Sequence, residues 1–309
     1  VRLPRLPPTA YRRITFLAVL ALVFIVITGG AVRLTGSGLG CPDWPRCAED
    51  RLVAPWEYHA MVEFVNRTIT GLVSLAVMLA VLGSLLRRPR RRDLTLLSLG
   101  LVAGVVGQIV LGGLTVLFHL KPQFVMAHFL LSQVLVANAV ILHHRAGQPD
   151  GRPLPRVPRE LRLMGRAVLA GAALAIFLGT VVTASGPHGG DPDVERLGFF
   201  LPDVARLHGL SVVLFLGLTL LTLWRLRRAS APPDLLRAGE VLLAVSVAQA
   251  AVGWTQYFTG VPVLLVGIHL AGATAVWAAV VGFQLRFTQA VPAPAAGGAA
   301  RAEHVLTQP

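Results

Sequence analysis

Long apolar runs alternate with short polar segments along the whole chain. The runs cover about 14–33, 62–86, 94–118, 124–142, 163–184, 204–224, 238–258 and 262–285. As a helix rising about 1.5 Å per residue, a run of roughly 20 residues crosses the ~30 Å hydrocarbon layer of a bilayer. Lipid offers the backbone no hydrogen-bond partner, so each run must satisfy itself as a helix. The pattern predicts an all-α membrane protein with eight transmembrane helices. The first run follows Arg12-Arg13 and lacks a convincing small-residue cleavage site, so it reads as a retained span rather than a cleaved signal.

Polar residues inside the runs recur in a pattern. Gln108 precedes Gly112 by four residues and His128 by twenty; Gln249 precedes Gly253 by four and His269 by twenty. A further polar position lies upstream in each copy: Asn66, 62 residues before His128, and His208, 61 residues before His269. The chain therefore reads as a duplicated four-helix unit, with histidine at three of four matching sites. Two tandem bundles related by a pseudo-twofold axis along the membrane normal are expected.

Composition strengthens the membrane reading, with 54% apolar residues, 14% charged residues and a mean hydropathy of +0.67. The 28 Lys and Arg against 15 Asp and Glu could suggest nucleic acid. The arginines instead form short blocks between apolar runs, as cytoplasmic loops do, so no nucleic-acid partner is expected. Arg87 to Arg92 after the second span, the Arg-rich segment 143–162 and Arg225, Arg227 and Arg228 mark one face. Loops 34–60 and 185–203 are acidic on balance and mark the other. The expected organisation is a tail (1–13), a first half (14–142), a linker (143–162), a second half (163–285) and an unstructured Ala/Pro/Gly-rich tail (286–309). Both termini, both tails and the linker are expected to be cytoplasmic, in a multi-pass protein of the plasma membrane.

This topology puts Asn66, His128, His208 and His269 at one depth, a turn or two from the outer end of the even-numbered spans. An ionisable side chain inside a span is costly and marks function by default. Two imidazoles facing each other in a helix bundle, His208 and His269, suit the axial positions of a haem. Interhelical hydrogen bonding or a proton path is the alternative. In the first half, His128 faces Asn66, a poor iron ligand, so a haem there could keep one face open. Glu63 shares a helical face with Asn66 and could transfer protons there; equally, it could pair with Arg67 and anchor the helix end. His59, two turns before Asn66, is a weaker substitute ligand. His188 could touch a haem edge or simply turn the chain. Cys41 and Cys47 share one outer loop, where a disulfide or a thiol pair for redox exchange are both open; their spacing excludes a metal knuckle.

The run from Gly29 to Cys47 (GGAVRLTGSGLGCPDWPRC) resembles the bacterial haem A synthase family. So do Glu63-Phe64-Val65-Asn66-Arg67 and His128, His208 and His269, and the resemblance spans all eight runs. It implies an enzyme that oxidises a ring methyl of haem O to a formyl group, giving haem A for terminal oxidases. The implied cofactor is haem b; haem O is the substrate. The family's glutamate falls on Glu63, a catalytic position. Its cysteine pair falls on Cys41 and Cys47, and its four axial histidines fall on position 66, His128, His208 and His269. Asn66 departs from that pattern. The departure suggests haem b between His208 and His269, and the substrate haem on His128 beside Glu63, with Asn66 and Arg67 lining its pocket and Arg67 on a propionate. The implied partners are the bilayer, a haem O synthase and a membrane electron donor. The alternative is a bis-histidine haem b electron carrier that converts no substrate.

Overall fold

The computed structural model describes residues 5–48 and 53–292. It contains eight helices long and apolar enough to span a membrane: α1 (Pro8–Leu34), α2 (Tyr58–Leu86), α3 (Arg92–Leu117), α4 (Pro122–Ala146), α5 (Arg159–Ser185), α6 (Leu201–Arg228), α7 (Pro233–Phe258) and α8 (Val263–Leu285). Each grows from one of the predicted apolar runs. Proline in the first turn of α1, α4, α6 and α7 starts the helix where the backbone N–H needs no partner. Large apolar side chains face outward along the spans, among them Leu72, Leu82, Val213 and Leu264. Such a surface is stable against lipid and would not be against water.

Each half is a closed ring. α1 packs on α2, α2 on α3, α3 on α4 and α4 back on α1; α5 to α8 repeat the same circuit. Among the described residues the diagonal partners α2/α4 and α6/α8 pack far less closely than neighbouring helices do. The rings meet through α4 and α8, flanked by α1 against α8 and α4 against α5. Trp277 Nε1 donates to Gln133 O at 2.8 Å across this seam, and Gln133 Nε2 donates to Thr274 Oγ1 at 3.3 Å.

The duplication persists in the turns. His119 and Leu120 join α3 to α4 with φ of 51° and 57°; Gly260 and Val261 join α7 to α8 with φ of 78° and 58°. Leu120 N donates to Thr115 O at 2.8 Å, and Val261 N to Gln256 O at 2.7 Å. These are the same six-residue helix-ending bond, and both fit the 141-residue repeat.

One expectation changes at the opposite face. The tail from 286 is not unstructured throughout. β2 (Thr288–Val291) pairs antiparallel with β1 (Arg152–Pro155) of the linker. Phe287, 1% exposed, anchors it in the core of the second half. Arg156 N donates to Phe287 O at 3.0 Å, and the Arg156 side chain forms two 2.7 Å bonds to Asp234. The linker is likewise tied down. Arg91, 3% exposed, donates to the carbonyls of Arg145 at 3.0 Å and Gln148 at 2.7 Å while pairing with Asp93. The tail beyond 292, and Glu49, Asp50 and Arg51 of the acidic loop, lie outside the described residues.

Candidate functional site

The second half builds a two-sided cradle. His208 stands seven residues into α6 and His269 six residues into α8, so the diagonal helices present both rings at one depth. The ring centroids are 6.4 Å apart and the planes nearly perpendicular, at 87°. Ala175 O accepts from His208 Nδ1 at 3.0 Å, which puts the ring proton on Nδ1 and leaves the Nε2 lone pair free. Gln249 Nε2 donates to His269 O at 2.7 Å and to His269 Nδ1 at 3.0 Å, which holds that turn and ring and puts this ring's proton on Nε2, so ligation through Nε2 requires that proton to leave. Glycines back both rings. A Cβ at Gly179 would lie 3.2 Å from His208 Cε1, and one at Gly253 would lie 2.9 Å from His269 Cε1. The Gln–Gly–His signature thus has a physical meaning: the glutamine holds the histidine's turn, and the glycine gives its ring room.

The first half repeats the frame with different contents. Gln108 Nε2 donates to His128 O at 3.0 Å, as its counterpart does, but its other bond goes to Ser132 Oγ at 2.7 Å. The second half has Ala273 at that position, which frees Gln249 for the ring. His128 Nδ1 is therefore buried with no hydrogen-bond partner among the described residues, and so is Asn66 Oδ1. Gly112 backs His128 more loosely, at 3.4 Å from Cε1. Gly29 lies seven residues before Gly36, as Gly179 lies seven before Gly186, both Gly36 and Gly186 falling just past the end of their helix. A Cβ at Gly29 would meet nothing within 4 Å. By the repeat, Gly29 matches the glycine that backs His208, and residue 66 here is Asn rather than His.

Glu63 sits one turn from Asn66 on α2 and is 5% exposed. Its Oε2 accepts from Cys41 N at 2.8 Å; its Oε1 accepts from Arg67 Nε at 3.1 Å and Nη2 at 2.6 Å. Arg67 also donates to the carbonyls of Asp43, Arg46 and Cys41 at 3.0–3.1 Å. Five bonds occupy all five guanidinium N–H groups, and the Trp44 ring lies 4.9 Å from Arg67 Cζ. This corrects the expectation that Arg67 meets a propionate, because the loop carbonyls and Glu63 consume its donors. The anchoring pair between Glu63 and Arg67 is real. Cys41 and Cys47 form a disulfide with Cα atoms 4.3 Å apart, and both are buried. Arg67 thereby clasps the disulfide loop over the end of the first ring. Trp44 from that loop packs on Gly113, where a Cβ would lie 2.7 Å from the indole.

The remaining histidines are held elsewhere. His59 Nδ1 lies 3.0 Å from Ser37 Oγ, in the network closing the end of α1. His188 Nε2 donates to Val261 O at 3.0 Å and turns the α5–α6 loop onto the start of α8. Among the described residues no three metal-ligating side chains converge.

Fold and site define a polytopic membrane protein of two four-helix rings, each carrying a histidine-bearing cradle near the same end. The chain matches the family COX15-CtaA, described as cytochrome oxidase assembly protein, over residues 12–187. It is 30% identical to the Heme A synthase of Symbiobacterium thermophilum over 267 residues, 79% of this chain and 84% of that one. It is 26% identical to that of Shouchella clausii over 275 residues, 84% of this chain and 91% of that one. The protein belongs to the haem A synthase family and is a membrane-bound oxidoreductase.

Proposed function

We propose that this protein oxidises a ring methyl of haem O to a formyl group, making haem A, with a resident haem b in the second half. The asymmetry of the two cradles carries this reading. The second offers two facing imidazoles, one with its Nε2 lone pair fixed by the Ala175 bond. The first offers His128 opposite Asn66, with buried polar atoms still lacking partners. His208 and His269 would hold haem b, which would supply electron transfer. His128 would hold the substrate haem from one side. When bound, the haem groups supply the one-electron and oxygen chemistry.

The chain's own residues position and protect. Gln249 and Gly253 set the His269 ring; Gln108 and Gly112 set the turn and ring of His128. Glu63 is the proton-handling group. Its Oε2 accepts from Cys41 N, and Arg67 fixes the direction of the carboxylate. The disulfide loop, clasped by Arg67, keeps water from that end of the first ring. The disulfide face is the outer face and both chain ends are cytoplasmic, on the positive-inside rule. Haem O arrives from the enzyme that makes it, and electrons from a membrane donor.

Anaerobic purification followed by mass identification of the bound porphyrins tests the reading. Haem b with haem O and haem A supports it. Haem b alone would indicate an electron carrier and overturn the synthase reading.

A further inference from the structure

A polar cavity lies where the two halves meet at the disulfide face. It measures about 540 Å³ and is walled by the end of α1 and the α5–α6 loop, with Arg33, Arg196, His188 and Asp191 on its lining. Arg33 Nη2 donates to Thr183 O at 2.8 Å, and Arg196 Nη2 donates to the same oxygen at 3.4 Å and to Pro187 O at 2.9 Å. Two guanidinium groups thus converge on one backbone carbonyl. Neither has an ion-pair partner among the described residues, and Arg33 Nε is buried with no hydrogen bond. Burial lowers the Arg196 pKa from its ordinary value. Glycine makes the crowding feasible, since a Cβ at Gly189 would lie 2.6 Å from Arg196 Nη1. Like charges brought together with one acidic neighbour, Asp191, call for an anion between them.

The cavity borders the second cradle. Leu34 on its wall packs against Gly267, two residues before His269, and His188 on its wall bonds Val261 just before α8. Six residues of α8 separate Val263 from His269, about 9 Å of helix. Arg196 lies on the loop that leads directly into α6 and His208. The arginines thus sit at the same end of the second half as His208 and His269.

We propose that Arg33 and Arg196 form a carboxylate site that takes the propionate side chains of the porphyrin held by His208 and His269. This rests on the haem reading above and adds the residues that orient the ring. Arg33 comes from the first half and Arg196 from the second, so the site also staples the halves together when filled.

The test compares ferric haem b with its dimethyl ester, which keeps the ring and iron but lacks free carboxylates. Pigment-free full-length protein in detergent is titrated with each and followed by the low-spin absorbance. Wild type should bind the free acid about tenfold or more tighter than the ester, the usual scale for charge-assisted bonds. The Arg33→Gln/Arg196→Gln double variant should bring that ratio near one while binding the ester as wild type does. Arg196→Gln alone should lose part of the ratio, which keeps the test decisive if Arg33→Gln fails to fold. An unchanged ratio in these variants, or equal binding of acid and ester by wild type, would overturn the proposal; a lipid phosphate in the cavity would give the second result. His269→Ala separates the two layers of inference. If it binds haem b with an unaltered low-spin spectrum, or if wild type binds neither form, the haem reading itself fails.

Discussion

Four glycines form a graded test of the cradles. A Cβ would lie 2.9 Å from the histidine carbon at Gly253, 3.2 Å at Gly179 and 3.4 Å at Gly112, and would meet nothing within 4 Å at Gly29. Carbon atoms in contact prefer about 3.5–4.0 Å, so Gly253→Ala demands a retreat of roughly 0.6 Å or more. His269 cannot swing freely, because Gln249 holds its carbonyl and its ring. Overpacking of this kind costs about 1–3 kcal/mol. The gain in helix propensity, up to about 1 kcal/mol, offsets only part of it. Gly253→Ala should lower the thermal midpoint and weaken haem b retention, Gly179→Ala should do so less, and Gly112→Ala should be mild. Gly29→Ala should be neutral or slightly stabilising while residue 66 is Asn. In an Asn66→His background the new ring should need the space over position 29, so Gly29→Ala should become harmful, with a coupling of about 0.5–3 kcal/mol. Thermal unfolding of the four-member cycle, with the absorbance of bound haem, measures it. Additive effects of Gly29→Ala and Asn66→His would refute the correspondence of the two cradles.

The disulfide should leave neither Cys41 nor Cys47 open to thiol labelling in unreduced, denatured protein, and reduction should expose both. Glu63→Gln keeps shape and most hydrogen bonding but removes the carboxylate to which the proposed function gives the proton transfer. Haem b should stay while formyl formation falls about 10²-fold or more, and full activity would remove Glu63 from the chemistry. Asp234→Ala breaks the Arg156 pair, but the carboxylate is half exposed. The loss should be no more than about 1 kcal/mol, read as a small fall in thermal midpoint.

Much of the fold was legible because lipid reduces the choices. Apolar runs of sufficient length must be helices, and all eight were found with ends shifted by a few residues. Gln108, Gly112, His128 and their copies were visible as a repeat, although the repeat alone did not say that Gln holds a backbone carbonyl and Gly backs a ring. Partners that are backbone atoms stayed hidden. Ala175 O, which fixes the His208 tautomer, and the loop carbonyls that absorb Arg67 leave no mark in side-chain identity. Gly179 was equally silent, since a glycine in a span signals close approach without naming what approaches. The β1–β2 pairing escaped because Pro153 and Pro155 and the Ala/Pro/Gly tail read as irregular chain, whereas Phe287, which is buried, and Arg156, which bonds its carbonyl, pin the two segments together.

The central claim is that His208 and His269 together hold the resident haem b. Visible spectroscopy of anaerobically purified His208→Ala, His269→Ala and His128→Ala tests it most directly. Either of the first two should abolish the low-spin haem b signal, because a group held from two sides becomes one-sided and weakly bound. His128→Ala should retain that signal. An intact low-spin spectrum after substitution of His208 or His269, or its loss on substitution of His128 alone, would show that the two halves have been assigned the wrong way round.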